Sequence, residues 1–331
     1  MLSLNSFIYC NIVAFYNKAL TFAFQKNSVM EFAKQYDVII IGGSYAGLSA
    51  AMALGRSLKN VLVIDSGKPC NAPTPHSHNF LTQDGATPAA IATLGKQQVQ
   101  QYDTVVFYNG LATEGKATHT GFDIITAAGD IFTTKKLIFA TGIKDIFPDI
   151  KGLEAAWGKS IIHCPYCHGY EFRGKRTGII ANGEMAFHLT ALVNNLSPDI
   201  TVFTNGPVVF TDVQLQKLKD HNIPVIETPL AEVIHTEGNM TAVALTDGTR
   251  LAMDALYARV AFEQHCPIPV ALGCALNEQG YLQIDNMYHT TVPGIFACGD
   301  NSSFMRSVAN AVAAGNFTGA VVNRELTEQS F

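Results

Sequence analysis

The stretch His163-Cys164-Pro165-Tyr166-Cys167-His168-Gly169 carries two cysteines separated by two residues and flanked by histidines. Two thiols at that spacing can close a small disulfide, and a helix starting there would favour the thiolate through its dipole. Three other chemistries compete. A zinc site needs a second Cys or His pair at metal spacing, and Cys266 with Cys274 has the wrong gap, so no metal is expected. Covalent haem fits Cys164 to His168 literally but needs an exported or specialised context, for which no convincing signal peptide is present. Two buried structural thiols are the plain alternative, and the flanking His, Pro, Tyr and Gly argue against it.

A redox pair needs an electron carrier beside it, and the sequence offers a place for one. The apolar run Val38 to Ile41 enters the turn Gly42-Gly43-Ser44-Tyr45-Ala46-Gly47, followed by a small-residue helix to about Leu58. A second apolar run, Val61 to Ile64, ends at Asp65, 18 residues after Gly47. Strand, glycine turn, helix and a strand closing on an acid make one βαβ unit of a doubly wound sheet. The helix N-terminus presents free N–H groups to a pyrophosphate. Ser44 stands where the usual pattern has its middle glycine, and it is small enough to let the pyrophosphate approach.

Later segments repeat the theme. Leu137 to Gly142 reads as a buried strand ending in a small turn. Thr177 to Ala181 opens a second βα unit, with a helix to about Asn195 and a strand from Ile200 to Phe203. Thr291 to Asp300 is a short strand closing on Gly299-Asp300, and a long small-residue helix runs from about Ser307 to Arg324. The fold class expected is α/β, with two Rossmann-like doubly wound units and the second inserted within the first. The expected segments are 30–145 and 263–331 for the first unit and 146–262 for the second.

At 331 residues the chain has room for two domains at roughly 150 residues each. Hydrophobic residues at 48% and charged residues at 15% describe a globular protein, and a net charge of −5 gives no hint of nucleic acid. Seven cysteines are too sparse for a disulfide scaffold, which suggests a reducing cytoplasm. Residues 1–29 are apolar and aromatic but broken by Asn5, Asn11, Asn17 and Lys18, so neither a membrane span nor a secretory signal is supported. They are expected to lie outside the fold, upstream of a start at Met30.

The order of glycine turn, Ala140-Thr141-Gly142, Cys-x-x-Cys about 22 residues later, second nucleotide unit and terminal Gly299-Asp300 resembles the low-molecular-weight thioredoxin reductases, over residues 31–325. The resemblance implies FAD on the first unit, held by Gly42, Gly43, Ser44, Ala46, Gly47, Asp65, Thr141, Gly142, Gly299 and Asp300. It implies a polar flavin contact at Asn79 and a helix N-terminus at Arg306 to Val308 aimed at the flavin. Cys167 would face the flavin and Cys164 would exchange with substrate. His168, where the family commonly has an acid, would move the proton. The implied partners are thioredoxin, another dithiol protein or a small dithiol, and a second copy of the chain. The His-rich loop is also similar to a branch that includes dithiol oxidases, which leaves oxygen open as acceptor.

NAD(P)H is left open as donor. Ala181 replaces the first glycine of the second turn, and Thr204-Asn205-Gly206-Pro207 supplies neither a basic cluster nor an acid after the second strand. A reduced ferredoxin is the alternative donor. From Lys135 to Arg176, eight basic residues face four acids, a +4 stretch that could steer an acidic partner. A haem-binding or redox-sensing protein stands as the reading from another class.

Overall fold

The computed structural model describes residues 35–331, so the expectation for 1–29 lies outside the described residues. The first unit runs β1 (Gln35–Ile41), α1 (Tyr45–Arg56), β2 (Val61–Asp65), α2 (Pro88–Val99) and β3 (Val105–Asn109). It continues through the hairpin β4 (Ala112–Thr118) and β5 (Gly121–Thr126) into β6 (Ile131–Phe139). Strands β3, β2, β1 and β6 are parallel neighbours, and β5 and β4 add antiparallel at the edge. The β1 run is apolar because the sheet is covered on both faces: Val38, Ile39 and Ile40 are fully buried.

The chain leaves along β7 (Ile143–Ile146) and passes the two-residue β8 (Ile161–Ile162) to build a second sheet. That sheet uses β9 (Thr177–Ile180), α3 (Gly183–Asn194), β10 (Ile200–Phe203), α4 (Asp212–Asp220) and β11 (Val225–Ile226). Next come β12 (Leu230–Thr236), β13 (Asn239–Leu245) and β14 (Arg250–Ala252), which form a separate antiparallel sheet, and then β15 (Ala255–Ala258). The parallel order is β11-β10-β9-β15-β8. The chain returns on β16 (Ala261–Gln264), antiparallel to β7, so the expected seams at 145/146 and 262/263 both fall inside this two-stranded ribbon. Finally β17 (Ile295–Ala297) joins β6 in the first sheet, and α5 (Val308–Glu328) packs on α1.

Two sheets with parallel cores, the segment building the second inserted in the chain between the parts of the first, are therefore present as expected. Among the described residues no helix is long and apolar enough to cross a membrane.

Candidate functional site

A cavity of about 580 Å3 opens at the carboxyl ends of the first sheet, where an open α/β sheet places its ligand. The turn after β1 forms its floor. Gly42 has φ +106°, and a Cβ there would collide with the Ala140 carbonyl. A Cβ on Gly43 would stand 2.7 Å from the Asp65 Cβ, so the backbone comes as close to the end of β2 as only glycine permits. Gly47 sits behind the turn against Gly42 and Ala140 and does not line the cavity. Ser44 caps α1 through its carbonyl, with no cap bond from its hydroxyl, and lines the cavity.

Ala46, Asp65, Thr141, Gly142, Gly299 and Asp300 line the same space, as do Arg306 and Val308 at the start of α5. Asn79 does not. It is exposed at φ +58°, in a turn where its amide donates to Asp84, so the polar flavin contact expected there is corrected. Asn71 does line the cavity, donating to the Tyr45 hydroxyl at 3.0 Å, and so do Ser77 and His78.

Arg306 ties the cavity wall together. Its guanidinium forks onto the Asp145 carboxylate at 2.9 and 3.1 Å, and the Trp157 indole donates to the same carboxylate at 3.2 Å. Its Nε lies 3.8 Å from Asp300, beyond hydrogen-bond reach, and is buried with no hydrogen-bond partner among the described residues. Burial pushes the Asp300 carboxyl up to about 6, with Arg306 opposing. The Cys70 thiol turns inward from an exposed residue to lie 3.8 Å from Asp300. Burial and that carboxylate push it up to about 12, so it stays protonated and is a poor nucleophile.

The dithiol element closes the other side. Cys164 caps the one-turn helix Pro165–His168, accepting from the Cys167 amide, and the two cysteines form a disulfide with Cα atoms 5.3 Å apart. Cys167, His168 and His163 line the cavity; Cys164 does not. His168 Nε2 lies 3.3 Å from the His76 carbonyl, which can only accept, so Nε2 carries the hydrogen. Burial lowers the ring's pKa, and its Nδ1 is buried without a partner among the described residues, so the neutral imidazole offers a bare lone pair. His163 stacks on Trp157, and burial together with the Arg306 charge pushes it down to about 4. Sequence reasoning singled out neither Trp157 nor Asn71. Nothing local marks them, since their partners come from distant segments.

The same structure removes the basic docking field. Lys135, Lys136, Lys144, Lys151 and Arg176 pair with Asp37, Glu325, Glu263, Glu232 and Asp254, all outside the +4 stretch. Those five carboxylates cancel the local excess.

The glycine cradle, the carboxylate ending β2 and the orphaned Arg306 Nε fit a flavin dinucleotide. Among the described residues no group of three or more His, Cys, Asp or Glu side chains could hold a metal.

Known proteins agree with the geometry. The family described as pyridine nucleotide-disulphide oxidoreductase matches residues 36–315. The thioredoxin reductase sirT of Leptosphaeria maculans is 32% identical over 305 residues, covering 87% of this chain and 93% of its own. The thioredoxin reductase tcpT of Claviceps purpurea is 30% identical over 301 residues, covering 88% and 94%. A solved oxidoreductase from Agrobacterium tumefaciens superposes with a TM-score of 0.84 at 37% identity, covering 89% of this chain and 99% of that one. The chain belongs to the pyridine nucleotide-disulphide oxidoreductase family and is a thioredoxin reductase-like FAD oxidoreductase.

Proposed function

We propose that this enzyme moves electron pairs between FAD and the Cys164–Cys167 disulfide, and from there to or from an external dithiol. The observation that carries the reading is that Cys167 lines the same cavity as the glycine cradle of the first unit, while Cys164 does not line it. Bound there, FAD supplies a two-electron carrier. Residues 30–145 and 263–331 would hold it, and 146–262 would carry the dithiol.

In the reductive direction, Cys167 takes the electron pair as the Cys164–Cys167 bond breaks. Cys164 leaves as a thiolate and attacks one sulfur of a substrate disulfide, expelling the other as a thiolate. Cys167 then closes back on Cys164 and releases the second substrate sulfur. The net change is one disulfide plus two electrons and two protons giving two thiols. The neutral His168, whose Nδ1 has no hydrogen-bond partner among the described residues, would hold a proton for Cys167 and return it to a departing sulfur.

The external partner is thioredoxin, another dithiol protein or a small dithiol, met in the cytoplasm by a homodimer of this chain. The oxidative direction, with dioxygen accepting the two electrons, runs the same exchanges backwards. Substitution of the cysteines tests the roles. Cys164→Ser should leave a Cys167 thiolate beside the flavin and produce a long-wavelength charge-transfer band at alkaline pH, whereas Cys167→Ser should not. The opposite pattern would reverse the assignment.

A further inference from the structure

The family to which this chain belongs is described by its use of a pyridine nucleotide, and the second unit does not fit one. A helix N-terminus binds a pyrophosphate when its first N–H groups are free and the turn before it is open. At the start of α3 the first amide is already taken and the turn is bridged. Asn182 caps the helix with its own side chain: Oδ1 accepts from the Gly183 amide at 2.9 Å and from the Val209 amide at 3.1 Å. Its Nδ2 donates to the Pro207 carbonyl at 2.8 Å. The side-chain amide thus straps residues 207–209 across the turn, and its oxygen sits where a phosphate oxygen would receive these hydrogens. The strap lies close: a Cβ on Gly183 would stand 3.0 Å from the Val209 side chain.

The surroundings are also wrong for a polyanion. Glu184 lies in the first turn of α3, held by Gln214, and the Glu227 carboxylate accepts from the Val208 amide at 2.9 Å within the strap. Arg259 lies beside Met185 at 3.5 Å and Lys217 over the Phe187 ring, so the two carboxylates leave no excess of positive charge there. Past β10 the side chains are already engaged. Thr204 Oγ1 donates to the Gly206 carbonyl at 2.7 Å, and Asn205 Oδ1 accepts from the Leu230 amide at 2.8 Å. Neither is a carboxylate that could grip the ribose diol or a cation that could pair with a 2′-phosphate.

We infer that the second nucleotide unit is closed by its own strap, Asn182 with residues 207–209, and binds neither NADPH nor NADH. The flavin's electrons are then exchanged with a donor of another class, a dithiol or a reduced iron–sulfur protein such as ferredoxin. The inference rests on the second unit alone and not on the roles proposed for Cys164 and Cys167.

The test uses the purified holoprotein. Equilibrium dialysis against NADPH and NADH up to about 1 mM, the top of the range in which enzymes usually meet their substrates, should show no saturable binding. Hydrogen exchange at the Gly183 and Val209 amides should be slow in the free protein and unchanged by either nucleotide. Saturable binding with a Kd on the order of tens of micromolar would overturn the inference. So would a nucleotide-dependent change in exchange at those two amides. Anaerobic addition of dithiothreitol to the same sample reports separately on the dithiol: flavin bleaching by the thiol with no nucleotide binding supports both readings. Nucleotide binding together with thiol bleaching overturns the closed strap and leaves the dithiol reading standing.

Discussion

Replacing Arg306 by leucine should damage both stability and flavin retention, and the size of the effect follows from burial. The Arg306 side chain is 15% exposed and its forked partner Asp145 is 7% exposed, so removal leaves one carboxylate buried without a cation and a second, Asp300, with its nearest cation lost. Breaking a buried pair from one side costs about 3–5 kcal/mol. The pair is not fully dry and the Trp157 indole still donates to Asp145, so the lower end, about 3 kcal/mol, is expected. Adding Asp145→Asn to Arg306→Leu removes the stranded charge and should recover about 1–2 kcal/mol. The assay is urea unfolding of wild type, both single variants and the double variant, with flavin content measured from the visible absorbance of each purified protein. A loss under about 1 kcal/mol for Arg306→Leu, or a double variant no more stable than the single, would show that the fork does not hold the cavity wall.

At the opposite end of the first unit, His289 bonds Asp285 at 2.8 Å through Nδ1 and Glu325 through Nε2, while Lys136 also reaches Glu325 at 2.8 Å. Burial opposes charge on His289, but the two carboxylates outweigh it and raise its pKa above 6.5. Its stabilisation is therefore full below that value and is lost as pH rises through the raised one, and Glu325, lowered from 4.5, sets the acid limit. His289→Gln should widen the gap in urea midpoint from wild type at about pH 5.5 more than at about pH 8.5, and an equal gap would count against it. Gly43→Val should fold yet lose flavin affinity on the order of tenfold or more, read by FAD titration of the apoprotein, because its Cβ meets Asp65. With a protein dithiol as substrate, kcat/KM should change less than about threefold between about 50 and 300 mM salt, since the basic stretch is paired internally; a steep fall would restore a steering field.

What the sequence made legible was local. The run from Val38 to Asp65 announces strand, tight turn, helix and acid within one stretch of chain, and β1, α1 and β2 form there because every local preference agrees. The pair at Cys164 and Cys167 is legible for the same reason. The features that were missed are long-range. Asp145 and Arg306 lie 161 residues apart, and neither carries a mark that the other will meet it. Asn79 and Asn71 are alike in type, yet Asn71 lines the cavity and Asn79 sits in a left-handed turn outside it. The +4 stretch misled because a count along the chain cannot see carboxylates that fold onto it from β1, β12, β16 and α5. The antiparallel sheet of β12, β13 and β14 has too little alternation of apolar and polar residues to stand out.

Electron flow between the thiols and the flavin decides the proposed chemistry. Anaerobic titration of the holoprotein with dithiothreitol should bleach the flavin with about four thiols consumed per FAD, two for the Cys164–Cys167 disulfide and two for the flavin, and Cys167→Ser should abolish bleaching while retaining the flavin. Bleaching of Cys167→Ser at the wild-type rate would contradict the account, because the electrons would then bypass the disulfide at the cavity wall.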